Sequence, residues 1–224
     1  MTAPSASLSA RAKIASSRAK KAPAASRQQA RTAATRRKLL LAAEQIFVRD
    51  GYEAARLEDI AAQAGYTRGA FYANFDSKEH IFFALLEQWV AQRIAEVNAV
   101  LRRHGNAKQR LRALREHYAQ IAQDRHLALL SLEFKLFAVR HPEAHARLRV
   151  HQRGLRACGG DILRRVSKSM GRSLPVSSTA AVTALGAFSN AMLLEHLVDS
   201  SSLSDAEIRH LLGLFFDAVV AGRR

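Results

Sequence analysis

Apolar residues return every three or four positions through most of this 224-residue chain, and nowhere do they alternate long enough to suggest a strand. Leu40, Ala43 and Phe47, supported by Leu39 and Ile46, form an inward stripe over about residues 31–49, with Gly51 as the stop. Leu57, Ile60, Ala61 and Ala64 fall at helical spacing on a second, shorter helix over 57–64. Gly65 suits the left-handed residue that closes such a helix, Tyr66 supplies the apolar plug, and Thr67 offers its hydroxyl as N-cap of a third helix over 67–74. A fourth, capped by Asp76 or Ser77, carries Phe82, Leu85, Trp89, Ile94, Val97 and Leu101 and ends near His104-Gly105. Helices over about 107–123, 126–140, 142–171, 176–199 and 204–221 follow, with Pro142 and Pro175 placed where helices begin. The pattern predicts an all-α chain of about nine helices.

The second and third helices are the most informative. Phe71 and Phe75 share one face of the third, Arg68 and Tyr72 another, and Gly69, Ala70 and Ala73 are small enough to let a groove wall approach. Two helices joined by a Gly-led turn in this way make a helix-turn-helix, whose second helix lies in the DNA major groove. Thr67 can give its hydroxyl to a phosphate while the exposed amides of the first turn favour an anion. Arg68 can make a bidentate contact with guanine O6 and N7, or serve simply as a phosphate clamp. Gly69 permits close backbone approach, and Ala70 can touch a thymine methyl. A helix this short reaches only a few base pairs of double-stranded DNA, so specificity calls for two copies on a palindromic operator and hence a homodimer.

Charge points to the same partner. The formal charge is +16, which favours a polyanion. Residues 1–38 hold ten of the 35 Lys and Arg and no acidic residue, leaving only +6 for the remainder. From Met1 to about Gln29 the chain is built of Ala, Ser, Lys and Arg, a composition expected to be disordered. That tail reads either as a solubilising extension or as a basic arm beside the recognition helix. No apolar signal segment and no uninterrupted apolar run long enough for a membrane span is present, and the single Cys158 cannot form an internal disulfide. A cytoplasmic location is expected, on the nucleoid when DNA is bound.

The run Leu40-Leu-Ala-Ala-Glu-Gln-Ile-Phe47, then Gly51-Tyr52, Asp59-Ile-Ala-Ala, Ala64-Gly-Tyr-Thr-Arg-Gly-Ala-Phe-Tyr72, Asn74-Phe75 and Ser77-Lys-Glu79, resembles the TetR family of bacterial transcriptional regulators. The resemblance covers residues 31 to about 87. After the basic tail (1–30), it implies a helix-turn-helix DNA-binding head (31–80) and an all-helical effector-binding and dimerisation body (81–224); no nucleophile–base set, phosphate-binding Gly loop or paired carboxylates suggests an enzyme or a cofactor. The resemblance also implies that Tyr72 bonds a phosphate. Lys78, in the first turn of the fourth helix, is ill placed for the helix dipole unless an anion lies nearby, so it is read as a phosphate contact. Two departures bear on the operator: where the family commonly has a Thr or Ser pair, this chain has Ala55-Arg56, making Arg56 an alternative phosphate contact. Where an aromatic-His pair is frequent it has Ala73-Asn74, leaving the Asn74 amide as the substitute.

In the body, the helix from Leu127 to Val139 is apolar on more than one face. Its Phe134 and Phe137, together with Trp89, Tyr118 and Met192, are candidates to line a cavity for a small-molecule effector, as alternatives to ordinary core. Glu133 in that helix is either a selector for a cationic ligand or the partner of an Arg. His141 and His145, four apart with Glu143 between them, are assigned no metal, since no Cys assists. The small residues of 179–192 and the stripe Ile208, Leu211, Leu212, Phe215, Val219 suit an internal core equally well, and the family resemblance favours a homodimer interface through the last two helices. The expected function is a repressor released from its operator when effector tilts the fourth helix. The alternative is a nucleoid-type protein that coats DNA non-specifically through its basic tail.

Overall fold

The computed structural model describes residues 24–221, and among them every regular element is a helix. These are α1 Ala24–Ala54, α2 Leu57–Gln63, α3 Arg68–Tyr72, α4 Lys78–Arg102, α5 Ala107–Ile121, α6 Arg125–Arg140, a 3-10 turn Pro142–Ala144, α7 His145–Ser169, α8 Ser178–Val198 and α9 Asp205–Ala221. Local chemistry marks most of their ends. Ser77, Asp124 and Ser177 accept from the amides of His80, Leu127 and Ala180, and Asn106 with Gln109 forms a reciprocal capping box. Ser204 and Glu207 exchange the same pair of bonds ahead of α9. Gly171 (φ +69°) closes α7, with Arg172 N–H donating to the Ser167 carbonyl.

The chain divides after Lys38 into two units. In the first, helix begins at Ala24 rather than Arg31, so residues 24–30 depart from the expected disorder. They contain no Gly or Pro and are rich in Ala, Gln and Arg, all good helix formers. The remainder of the basic tail, and with it the proposed arm, lies outside the described residues.

In the second unit, Leu39, Ile46, Phe47, Ile60, Phe71, Phe75, Phe82 and Phe83 are fully buried in one cluster, which also takes in Leu130, Phe134 and Phe137 of α6. The packing of the helix-turn-helix therefore continues into α6. A second cluster joins Leu114 of α5, Ile162, Leu163 and Val166 of α7, Ala181 and Leu185 of α8, and Phe216 and Val220 of α9. Gly160 lets α7 and α8 approach: a Cβ there would meet Ser178 at 3.0–3.2 Å.

The last two helices correct the expected interface stripe. Ile208 and Leu212 are buried in this chain's own core, in a row with Phe216 and Val220, whereas Leu211, Phe215 and Val219 are half-buried and Leu214 is 50% exposed. The i, i+4 row facing inward thus runs one residue away from the expected one below Leu212. α8 carries apolar residues on every face, yet only Ala181, Leu185 and Leu193 are buried. By length and composition it could cross a membrane. Thr183, Ser189, Asn190, Glu195 and His196 interrupt it, which is why the sequence showed no continuous apolar run.

Candidate functional site

Gly65 takes φ +76°, and the bonds Gly65 N–H to Ala62 O (3.0 Å) and Tyr66 N–H to Ala61 O (2.8 Å) close α2 as a Schellman turn. Thr67 then accepts from Ala70 N–H at 3.2 Å and starts α3, an N-cap contributing about 1 kcal/mol. Behind α3, Phe71 and Phe75 are fully buried. In front, the Arg68 side chain is 63% exposed and Tyr72 42% exposed. The Arg68 guanidinium bonds Glu58 at 3.0 Å and the Tyr72 hydroxyl at 3.4 Å, so both side chains are held on one outward face in the absence of a ligand. An exposed ion pair of this kind is worth little and exchanges readily for a stronger anion. Thr67 and Gly69 are exposed beside them and Ala70 is half-buried.

Three further positions behave differently from one another. Arg56 is exposed at the N-cap of α2, and its side chain makes no capping bond. Asn74 turns its amide back to donate to the Ala70 carbonyl at 2.9 Å. Lys78 corrects the phosphate reading. Its ammonium donates to the carbonyls of Tyr52 (2.8 Å), Glu53 (3.0 Å) and Ala55 (3.2 Å), so all three hydrogens are used on the C-terminus of α1. The partial negative charge of these helix-terminal carbonyls accounts for a lysine at this position without a phosphate. Burial lowers the Lys78 pKa, with Glu53 acting in the opposite sense, and the Tyr52 ring lies 4.5 Å from the ammonium.

The body encloses a cavity of about 410 Å³ among α4 to α9, within the size range of small-molecule sites. Trp89, Tyr118 and Phe134 line it. Tyr118 already donates to the Leu185 carbonyl at 2.9 Å, and burial raises its pKa. Glu133, Phe137 and Met192 are corrections, since none of them is on the cavity wall. Phe137 stacks among Tyr52, Phe82 and His141 in the aromatic cluster. Met192 packs on the cluster of Ala119, Ala122, Ile208 and Leu212. Glu133 selects no ligand: its carboxylate accepts the Tyr52 N–H at 2.8 Å, beside Gly51 (φ +80°), where α1 breaks. Polar wall residues that the sequence did not single out include Arg93, His117, Ser131, Lys135, Gln152 and Arg156. Their spacing resembles that of any solvated helix face, so the sequence carried no signal for them.

α6 joins the two regions. His126 meets Glu44 of α1 at 3.1 Å, Glu133 holds Tyr52, and His141 meets Glu53 at 3.0 Å. His141 also bonds Glu143 at 3.1 Å, and the His145 ring bonds the Ala138 carbonyl. Phe134, next to Glu133, touches both the cavity and Phe82, with ring centroids 4.4 Å apart. One helix thus lines the cavity and holds the broken end of α1.

Residues 39–85 match the family model described as bacterial regulatory proteins, tetR family. The chain is 37% identical over 83 residues to the HTH-type transcriptional activator FasR of Mycolicibacterium smegmatis, a match covering 37% of this chain and 38% of that protein. It is 45% identical over 51 residues to the HTH-type transcriptional repressor BepR of Brucella suis, covering 23% and 24%. The chain thus spans well under half the length of these curated relatives. Among solved structures, the transcriptional regulator FadR from Bacillus subtilis in complex with stearoyl-CoA superposes with a TM-score of 0.66 at 20% identity, over 84% of this chain and 98% of that one, a likeness of fold. Over residues 39–85 the chain is thus similar to the helix-turn-helix head of the tetR family of bacterial regulatory proteins.

Proposed function

We propose that this protein is a sequence-specific DNA-binding regulator of transcription, acting in the cytoplasm as a homodimer on a palindromic operator and released from it by a small-molecule effector. The observation that carries the DNA reading is α3 itself. A Thr-capped helix presents Arg68 and Tyr72 outward while two fully buried phenylalanines fix it from behind. Thr67, Gly69 and Ala70 complete that face, and Arg56 and Asn74 flank it. The apolar surplus of α8, with Leu214 on α9, supports the dimer: exposed small residues such as Ala180, Ala187 and Ala191 suit close helix packing between subunits.

Release is a two-state coupling through α4 and α6. Leu86, Trp89, Val90 and Arg93 of α4 and Phe134 and Lys135 of α6 all line the cavity. An effector that moves either helix displaces the Phe82–Phe134 contact and the Glu133 bond to α1. Reciprocity then requires operator DNA to lower effector affinity by the same factor. Both a repressor and an activator are among the relatives of the head, and of the two, repression follows from release by effector.

Selection of bound fragments from sheared genomic DNA tests the reading. A recurrent two-fold symmetric sequence is expected, and specific binding should survive excess competitor DNA at raised salt. A protein that coats DNA through its tail would retain no fragment preferentially once salt is raised; that result overturns the proposal.

A further inference from the structure

The cavity wall is unbalanced in charge. Three cationic side chains, Arg93, Lys135 and Arg156, line it together with its apolar residues, and no Asp or Glu does. Arg93 is neutralised from outside by Glu96, which also approaches His117 at 3.9 Å. Lys135 and Arg156 have no acidic partner among the described residues; Arg156 bonds only the neutral Gln152, one turn before it on α7, at 2.8 Å. Both line the cavity, the exposed Lys135 from α6 and the half-buried Arg156 from α7. Their proximity and the apolar wall together push the Lys135 pKa below the ordinary lysine value, desolvation being the larger cause. Two like charges held beside an apolar chamber without a counter-charge are unfavourable in the empty protein. An anion between them would remove the repulsion and gain charge-assisted hydrogen bonds. Behind them the wall is apolar, formed by Leu86, Trp89, Phe134, Leu155, Ile162 and Leu163.

We infer that the cavity selects a ligand with an apolar body and an anionic head, the head seated between Lys135 and Arg156 and the body directed inward along Trp89 and Phe134. This rests on the reading of the cavity as the effector site and specifies the class of effector it takes. The shared chemistry is an oxyanion, either carboxylate or phosphate. Cations and uncharged molecules of the same body are discriminated against by the two unpaired charges.

Trp89 is the sole tryptophan and lies on the wall, so its fluorescence reports occupancy directly. The full-length protein is titrated, below micellar concentrations, with dodecanoate, dodecyl phosphate, dodecanol and dodecyltrimethylammonium. Dodecanoate, dodecyl phosphate or both should bind about tenfold or more tightly than dodecanol, and dodecyltrimethylammonium more weakly still; the stronger of the two anions identifies the head group. Lys135→Gln and Arg156→Gln should each weaken the preferred anion by about tenfold and leave dodecanol unchanged, while Lys135→Arg retains the preference. The anion preference should shrink as salt is raised, because Lys135 is partly in solvent.

Equal binding of dodecanol and both anions, preference for the cation, or indifference to both Gln variants would overturn the charge reading while leaving the cavity as a ligand site. Failure of every probe to perturb Trp89 would overturn it as well. Neither result touches the DNA selection above, which needs no ligand, so the two readings fail separately.

Discussion

The joint between the helix-turn-helix and α6 is packed solid with rings, whereas the centre of the body is hollow. Phe82 has four aromatic neighbours with centroids between 4.4 and 5.1 Å: Phe47, Tyr52, Phe134 and Phe137. A few ångströms on, Phe134 faces a chamber of about 410 Å³ whose wall keeps polar groups such as the Trp89 indole N–H without a hydrogen-bond partner. The difference separates two jobs. Close packing makes the joint respond as a unit, because displaced rings have no space to absorb a shift. The chamber, by contrast, forgoes packing energy along its wall, and it is here that the proposed effector would bind.

The largest effect should come from truncation in the joint. Phe82→Ala is expected to cost about 3–5 kcal/mol of stability, the usual range for a fully buried phenylalanine. Leu127→Ala, whose side chain is half-buried on the cavity wall, removes fewer contacts and should cost at most about 2 kcal/mol. Urea unfolding measures both, and equal losses would erase the contrast between packed and hollow regions.

Next in size is a substitution that should leave stability alone. Arg68→Ala is expected to weaken binding to a selected palindrome by about 1–3 kcal/mol without moving the urea midpoint. Its exposed bond to Glu58 contributes little to folding. Fluorescence anisotropy with labelled duplexes gives the affinity. If all duplexes weaken alike, Arg68 is a phosphate clamp and not a base reader.

Glu133→Gln removes the charge from the link between joint and chamber while keeping an acceptor near Tyr52 N–H. A loss of about 1 kcal/mol is expected, the difference between a charge-assisted and a neutral hydrogen bond. The sharper consequence is on coupling: ligand should still bind, measured through Trp89, but shift operator affinity less than in the wild type. Unchanged coupling would place the connection in α4 alone.

What the sequence revealed follows from the range of the interactions involved. Gly65, Thr67, Phe71 and Phe75 announce the helix-turn-helix because caps and stripes are local, written within a few residues of where they act. Lys78 was misread for the opposite reason. Its partners, the carbonyls of Tyr52 to Ala55, are brought to it only by the turn of α2 and α3. Glu133 fails in the same way, reaching 81 positions back to Tyr52. Lys135 and Arg156 carry no local mark at all; in sequence they read as solvated charges, and only the fold brings them to one cavity wall that holds no carboxylate. The inward row of α9 was legible as a helix but not as a choice between Leu211–Phe215 and Leu212–Phe216, since both rows are apolar.

The smallest effect sharpens the far end of the joint. His141 bridges Glu53 of α1 and Glu143 of the 3-10 turn, and stacks on Phe137 at 4.4 Å. Its pKa is raised above the ordinary histidine value, first by the hydrogen bond to Glu53 and then by the one to Glu143. Because the folded state binds the proton more tightly than the unfolded chain, the clasp contributes fully below the unfolded pKa near about 6.5. That contribution fades as pH rises through the raised folded value. His141→Gln should therefore lower the urea midpoint most at about pH 6 and progressively less toward about pH 8. A gap between wild type and variant that stays constant with pH would mean that His141 acts through its stacking on Phe137, and that the two carboxylates contribute nothing to holding α6 on α1.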